Sequence, residues 1–266
     1  MAERAMTTKN THIDSQMVAK NFAKAYLSYD KNAIIQQKIC QELIQRLPNI
    51  SPSSVLEIGC GTGSLTNLYA QRWQLDKLYL SDLHDSVKDN LVYCPTEYLI
   101  GNIEHLPLPK IDVVLSSSAL QWIKNLPSLM ARIHHALHDG GIFAFSSFGM
   151  DNLKEIRSLT GKGLDYHALD DIKFMLKQAG FKVMYACQRY HTLNFTHPKD
   201  VLHHIKDTGV SVGGGVWNKS SLQTFYDDYH QRFAIHQEGK ENRWLYPLTY
   251  DALILVAKKA HQLHQS

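Results

Sequence analysis

The run SVLEIGCGTGSLT, Ser54–Thr66, decides how the rest of the chain is read. Apolar residues end at a loop with glycines at 59, 61 and 63, and SLTNLYAQRW behind it has helical spacing. An acid, Glu57, sits inside the apolar run. Glycines between a strand and a helix let the backbone turn sharply and let a ligand approach with no side chain in the way. The helix that follows offers free N–H groups and a positive dipole end, which favour an anionic group. Taken alone, the loop also suits a turn that binds nothing.

Outward from this loop, short apolar runs alternate with amphipathic ones. SVLEIG, KLYLSD, TEYLIG, IDVVLSSS, GIFAFSSF, FKVMYACQ and YDALILVAKK read as strands. KNAIIQQKICQELIQRL, SLTNLYAQRW, LPSLMARIHHALH and DDIKFMLKQAG read as helices. The alternation predicts an α/β fold with a mostly parallel, seven-stranded sheet covered on both faces. HDGG, His138–Gly141, is expected to form a tight turn, and Gly180 to stop a helix. After Phe195 the pattern becomes two helices joined by a glycine-rich loop, with no strand signal. The expected organisation is a flexible N-terminus over 1–20, a ligand-binding sheet domain with cap helices over 21–194, a helical insertion or lid over 195–243, and a final strand and tail over 244–266. VGGGVW, Val212–Trp217, is expected to hinge the lid; it lacks the Lys-Ser/Thr of a phosphate loop.

Composition narrows the function classes. With 44% hydrophobic and 20% charged residues, the 266-residue chain can bury a large core. A formal charge of +3 without a concentrated basic stripe excludes nucleic acid as the expected partner. The four cysteines form no CxxC pair, which argues against a disulfide framework or structural zinc and for a reducing, cytoplasmic setting. No window has the apolar length of a membrane helix, so no membrane partner is expected. The 15 histidines make no metal set: His134 and His138 have neither the intervening acid of HExxH nor a third ligand, and His203 and His204 are adjacent. No metal is expected.

KLYLSD ends in Asp82, 23 residues beyond Gly59. An acid there offers two acceptor oxygens to the hydroxyls of a ribose, although a turn or N-cap role also fits. Loop and acid together point to a nucleoside cofactor. A dinucleotide loop, G-x-G-x-x-G, would put its third glycine at position 64, which is Ser64. The glycine comes one residue early, and this speaks against a nicotinamide-dependent oxidoreductase.

The spacing G-x-G-x-G, with an acid two residues ahead of it, resembles the nucleoside loop of S-adenosylmethionine (SAM)-dependent methyltransferases. That resemblance implies a Rossmann-like class I methyltransferase fold and SAM as cofactor, leaving as S-adenosylhomocysteine. It implies cofactor contacts from Glu57, Gly59, Cys60, Gly61 and Gly63, with Asp82 and Leu83 at the ribose. GNIEHLPLP, Gly101–Pro109, resembles the family's adenine segment; Asn102 stands where Asp is usual, and Ile103 is implied to pack on the base. Ser116, Ser117 and Leu120, at the end of the fourth strand, are implied to line the methionine part.

Longer runs narrow the resemblance. NFAKAYLSYDKNAIIQQKICQELIQRL, SSALQWIKNLPSLMARI, FSSFGMDNLKEIRS, LHHIKDTGVSVG and YPLTYDALILVAKK are similar to segments of the malonyl-acyl-carrier-protein O-methyltransferases of biotin synthesis. The likeness spans nearly the whole chain from about Asn21. Ser117 stands where many relatives carry Asn, and the segment between Arg157 and Asp170 is shorter, on the substrate side. The family implies methyl transfer from SAM to the free carboxylate of a malonyl thioester, on acyl-carrier protein or coenzyme A. A methyltransferase for another small acid or a quinone precursor shares every cofactor motif, and a SAM-binding regulator without turnover would share them too. The oligomeric state is open, with a monomer assumed.

A carboxylate is already ionised near neutral pH, so no general base is expected. The chain must instead align, desolvate and hold the acceptor. Arg157, after the fifth strand, is the expected partner of one carboxylate oxygen, with a surface salt bridge as the alternative. Lys206 in the insertion is a second candidate. Tyr29 is expected to close over the methyl group unless it is core packing, and Gln121 and Trp122 to shape the malonyl pocket. Lys154, Arg157, Lys162, Lys199 and Lys206 are expected to attract an acidic carrier protein.

Overall fold

A computed structural model describes residues 29, 31–89, 91, 93–209, 218–239 and 243–260. The expected flexible start over 1–20 and the glycine-rich hinge, Val212–Trp217, lie outside the described residues.

Helix α1 (Ile34–Arg46) precedes β1 (Ser54–Ile58), and α2 (Ser64–Ala70) follows the glycine loop. Then come β2 (Lys77–Asp82), β3 (Glu97–Ile100) and β4 (Ile111–Ser116). Helix α3 (Leu126–Ala136) leads into β5 (Leu137–Phe148), followed by α4 (Lys154–Thr160), α5 (Leu169–Gln178) and β6 (Phe181–Phe195). Helices α6 (Pro198–Asp207) and α7 (Lys219–Phe233), the two-residue β7 (Ile235–His236) and β8 (Trp244–Lys259) complete the described chain.

The strands pair in the order β3-β2-β1-β4-β5-β8-β6, with β7 on β8. β1 to β5 run parallel, and β8 is antiparallel to both β5 and β6. The order reverses at β1, which lies between β2 and β4. A doubly wound sheet opens a ligand crevice beyond the carboxyl ends of its strands at such a switch point. The glycine loop stands there.

Both sheet faces are covered, so the central strands are apolar throughout rather than alternating. All five residues of β1 are buried. Val55, Val113 and Leu115 join the core under α1 and α2, while Leu56 and Val114 join the core under α3 and α5. Neighbours in sequence feed opposite cores because successive strand side chains alternate.

The structure departs from the sequence reading at three places. The sheet has eight strands rather than seven, because β7 is too short to leave a periodic signal. HDGG is drawn into β5, and the pairing with β4 shifts register between Ile111 and Val113. A Cβ on Gly141 would come 2.8 Å from the His138 carbonyl and 2.9 Å from that of Asp112, so the chain needs glycine there. β6 extends to Phe195 and β8 starts at Trp244, because the half-exposed ribbon they form carries mixed rather than apolar residues.

Helices α6 and α7 are seated on the sheet. Val201, Ile205, Phe225 and Tyr229 belong to the same core cluster as α1, and the Tyr229 hydroxyl donates to the Pro247 carbonyl at 2.5 Å. Among the described residues, no helix is long and apolar enough to cross a membrane.

Phe143 in β5 is fully buried, stacks on Phe145 at 4.6 Å and tilts against Phe181 at 5.7 Å. Phe143→Ala is expected to cost about 3–5 kcal/mol in urea unfolding. A loss below about 1 kcal/mol would show that this layer repacks freely.

Candidate active site

The glycine loop is fixed by its neighbours. Gly59 and Cys60 donate their amides to the Ser81 carbonyl at 2.8 and 3.0 Å, tying the loop to β2. Gly59 has φ +74°, and a Cβ on it would stand 2.5 Å from the Ala119 Cβ, so only glycine lets these loops pass. Gly63 starts α2 at φ +82° and packs on Leu91. A Cβ on Gly61 would meet nothing within 4 Å, which leaves bare backbone beside open space.

Glu57 is buried and accepts hydrogen bonds from Thr66 Oγ1 at 2.6 Å and Tyr69 OH at 2.7 Å, both on α2. Burial pushes its carboxyl up to about 7, against the pull of those two donors. Asp82 accepts from the Gly61 amide at 3.0 Å through Oδ2 and from the His84 amide at 3.2 Å through Oδ1. Burial raises its pKa too, opposed by these amides. Two carboxylate oxygens have about four acceptor positions, so Asp82 keeps capacity for ribose hydroxyls.

The segment expected to hold adenine is clamped from α3. Asn102 Oδ1 accepts from the Glu104 amide at 2.9 Å. Arg132 donates to the carbonyls of Ile103 at 2.8 Å, Glu104 at 2.6 Å and Leu106. One guanidinium thereby organises the loop that carries Asn102 and Ile103. The sequence reading missed Arg132, because nothing local links it to a loop some 26 to 29 residues earlier.

At the end of β4, Ser116 donates to the Ile58 carbonyl at 2.9 Å and is buried as a cross-strand tie. Ser117 accepts from the Cys40 thiol at 3.2 Å and shares a hydrogen bond with Ser146 Oγ at 2.9 Å. Ser118 follows at φ +55°, a left-handed conformation uncommon for a residue with a side chain. The Ser146 hydroxyl accepts from its amide at 3.1 Å.

One cavity gathers much of the expected set. Glu57, Gly59, Cys60, Gly61, Asp82 and Leu83 line it beside the glycine loop. Asn102, Ile103, Ser117, Trp122 and Tyr29 line its remaining walls. Gly63 and Ser116 stand behind the lining, and Leu120 is core at 1% exposure. Gln121 turns away to donate to the Ser118 carbonyl at 2.5 Å. Arg157 lies outside the lining: it donates to the Met150 carbonyl, and its guanidinium stands 5.7 Å from the Tyr166 ring centre. Lys206 is exposed on α6, also outside the lining. Gln36 and Cys40 of α1 and Ser118 line the cavity and were not anticipated. Gln36 and Cys40 sit one helical turn apart on one face of α1, and Ser118 two residues past the end of β4; the runs that hold them resemble the family but assign them no role.

Bare backbone at Gly61, a buried carboxylate with spare acceptors and an apolar wall at Ile103 fit a nucleoside. Among the described residues, no group of three or more His, Cys, Asp or Glu is placed to hold a metal. Switch-point sheet, glycine loop and strand-end acid together define a SAM-dependent methyltransferase of the Rossmann-like class. A methyltransferase domain family matches residues 31–186. The malonyl-[acyl-carrier protein] O-methyltransferase of Acinetobacter baylyi is 40% identical over 257 residues, covering 93% of this chain and 98% of its own. That of Haemophilus influenzae is 34% identical over 260 residues, covering 94% and 97%. The chain belongs to the malonyl-[acyl-carrier protein] O-methyltransferase family. Solved structures share the fold at low identity: a Bacillus halodurans protein provisionally called a methyltransferase matches with TM-score 0.61 at 17% identity, covering 84% of this chain and 100% of its own.

Two outcomes test the site. Between the ordinary glutamate value of 4.5 and about 7, the folded chain holds a proton on Glu57 that the unfolded chain has lost. Its stabilising contribution is complete below that window and is lost as pH rises through it. The difference in Tm between the wild type and Glu57→Gln is therefore expected to shift against the wild type from about pH 5 to about pH 8. A constant difference would refute it. Arg132→Met is expected to weaken SAM binding roughly tenfold by calorimetry, through loss of the hydrogen bonds that shape the adenine loop; unchanged affinity would show that the loop holds itself.

Proposed function

We propose that the chain methylates the free carboxylate of a malonyl thioester on acyl-carrier protein, the entry step to the pimeloyl chain of biotin, in the cytoplasm. Capping this carboxylate removes a charge, so chain-elongating enzymes can treat the unit as an ordinary primer. The observation that carries the reading is the cavity at the switch point, where the glycine loop and Asp82 adjoin neutral polar groups from α1 and from the loop after β4. The shared name of relatives that match nearly the whole chain supports the acceptor. All four cysteines are free, in keeping with a reducing compartment.

SAM would be held by the glycine loop, Asp82 and the Asn102–Ile103 segment, and supplies when bound an electrophilic methyl group on a sulfonium. The protein's residues align and desolvate the acceptor. A malonyl carboxylate has lost its proton at neutral pH, so a base has nothing to remove. The lining fits that economy. Glu57 is engaged by Thr66 and Tyr69, and His84 faces Ser86 at 2.8 Å beside Asp82. Tyr29, five residues ahead of α1, is assigned to cover the reacting end, Trp122 to the acceptor wall, and the insertion to a lid.

Lys154, Lys162, Lys199 and Lys206 are exposed and Arg157 partly so; in this reading they attract the acidic carrier protein. Labelled SAM incubated with malonyl-carrier protein is expected to yield a labelled ester, while free small acids stay unlabelled. The reverse pattern would overturn the acceptor assignment. Arg157→Ala is expected to raise the malonyl-carrier KM about tenfold with little change in kcat. Unchanged kinetics would remove Arg157 from acceptor binding.

A further inference from the structure

The acceptor end of the cavity has a feature that the reaction as described does not use. Gln36, on α1, is only 7% exposed and lines the cavity. Its side chain hydrogen-bonds the Tyr250 hydroxyl on β8. Its amide oxygen, Oε1, is buried without a hydrogen-bond partner. A buried amide atom left unsatisfied costs stability, and in a native cavity wall it calls for a ligand.

Tyr250 is in turn held by α6: its hydroxyl lies 2.8 Å from His204 Nε2. Tyr250 and His204 are both buried, at 2% and 7% exposure. Burial keeps His204 neutral by pushing its pKa down, with Asp207 acting weakly the other way. The neutral ring can carry its proton on Nε2. It then donates to Tyr250, which also meets the Thr208 side chain, and the Tyr250 O–H can donate to the Gln36 amide oxygen. Half a turn of the amide exchanges O for N, and a Gln36 N–H donor then takes the place of the unpartnered oxygen in this lining residue. Three elements, one of them in the insertion, converge to set one amide.

The chemistry of the wall says what those donors would meet. No lysine or arginine lines the cavity among the described residues. A carboxylate entering there finds neutral partners. Ser118 is a second, its hydroxyl likewise buried without a hydrogen-bond partner in the same lining. One turn along α1 from Gln36, Cys40 touches Ser117, which brings this helix face to the end of β4. Neutral donors suit a carboxylate nucleophile, because a directly bound cation would withdraw the electron density that must attack.

We propose that Gln36 binds the acceptor's carboxylate through its side-chain amide, with Ser118 beside it, and that Tyr250 and His204 are positioning residues that set the amide. This rests on the carboxyl-methylation reading above. It makes α6 part of acceptor recognition, and it gives the neutral amide, not Arg157 or Lys206, the contact with the reacting group.

The test is calorimetry with a malonyl thioester of pantetheine titrated into the full chain loaded with S-adenosylhomocysteine, alongside steady-state kinetics. Gln36→Met is expected to weaken thioester binding and raise its KM at least about tenfold. S-adenosylhomocysteine affinity should stay within about twofold, which also shows that the variant is folded. Gln36→Glu adds a negative charge against the acceptor and is expected to weaken thioester binding further. Tyr250→Phe is expected to give a smaller KM increase of the same kind, because it frees the amide without removing it. Tight thioester binding by Gln36→Met overturns this inference and leaves the acceptor assignment standing. A wild type that binds no malonyl thioester overturns the acceptor assignment, and this inference with it.

Discussion

The site depends on one close approach: the glycine loop after β1 passes so near the loop after β4 that a single methyl group on Gly59 would strike Ala119. That approach brings the two loops into the lining of one cavity. It is held from below by Glu57, whose buried carboxylate joins β1 to α2 through Thr66 and Tyr69. The loop is thus pinned at both ends, by amides to Ser81 and by an acid under the helix. Its bare centre at Gly61 faces open space, since a Cβ there would meet nothing within 4 Å.

The second theme is where charge is absent. The cavity is lined by Glu57 and Asp82 beside the glycine loop and by neutral Gln36, Ser117 and Ser118 elsewhere, with the described lysines and arginines outside it. In the proposed reaction a cationic cofactor would be favoured beside the acids, while a charged acceptor would be left reactive. Attraction of a distant acidic carrier can be left to exposed lysines, whose pull is felt over about a Debye length, roughly 8–10 Å, before any contact forms. Attraction and reaction are then handled by different residues, and neither compromises the other.

The fold alone would not have said this. The [4+2]-cyclase SpnF has a similar architecture, with TM-score 0.50 at 15% identity. One sheet can host unrelated chemistry, so function has to be argued from the site and from closer relatives. Helices α6 and α7 share the core of α1, and His204 reaches through Tyr250 toward the cavity wall.

Sequence by itself determined the parts whose cause is local. The alternation of buried runs and amphipathic helices specified the α/β class, and the spacing of Gly59, Gly61 and Gly63 with Asp82 specified a nucleoside site, because turn chemistry and strand ends are written in neighbouring residues. Only tertiary structure decided which side chains share the cavity. Gln36, Cys40, Ser118 and Arg132 lie in runs that resemble the family, yet nothing in those runs gives them a role; α1 reaches the end of β4, and Arg132 of α3 reaches the Ile103–Leu106 loop, by packing across the sheet. Arg157 shows the converse: its charge and position in the sequence fit a carboxylate, yet folding turns it onto the Met150 carbonyl and the Tyr166 ring. Local patterns record what a residue can do, while the long-range packing of helices on a sheet determines what it touches.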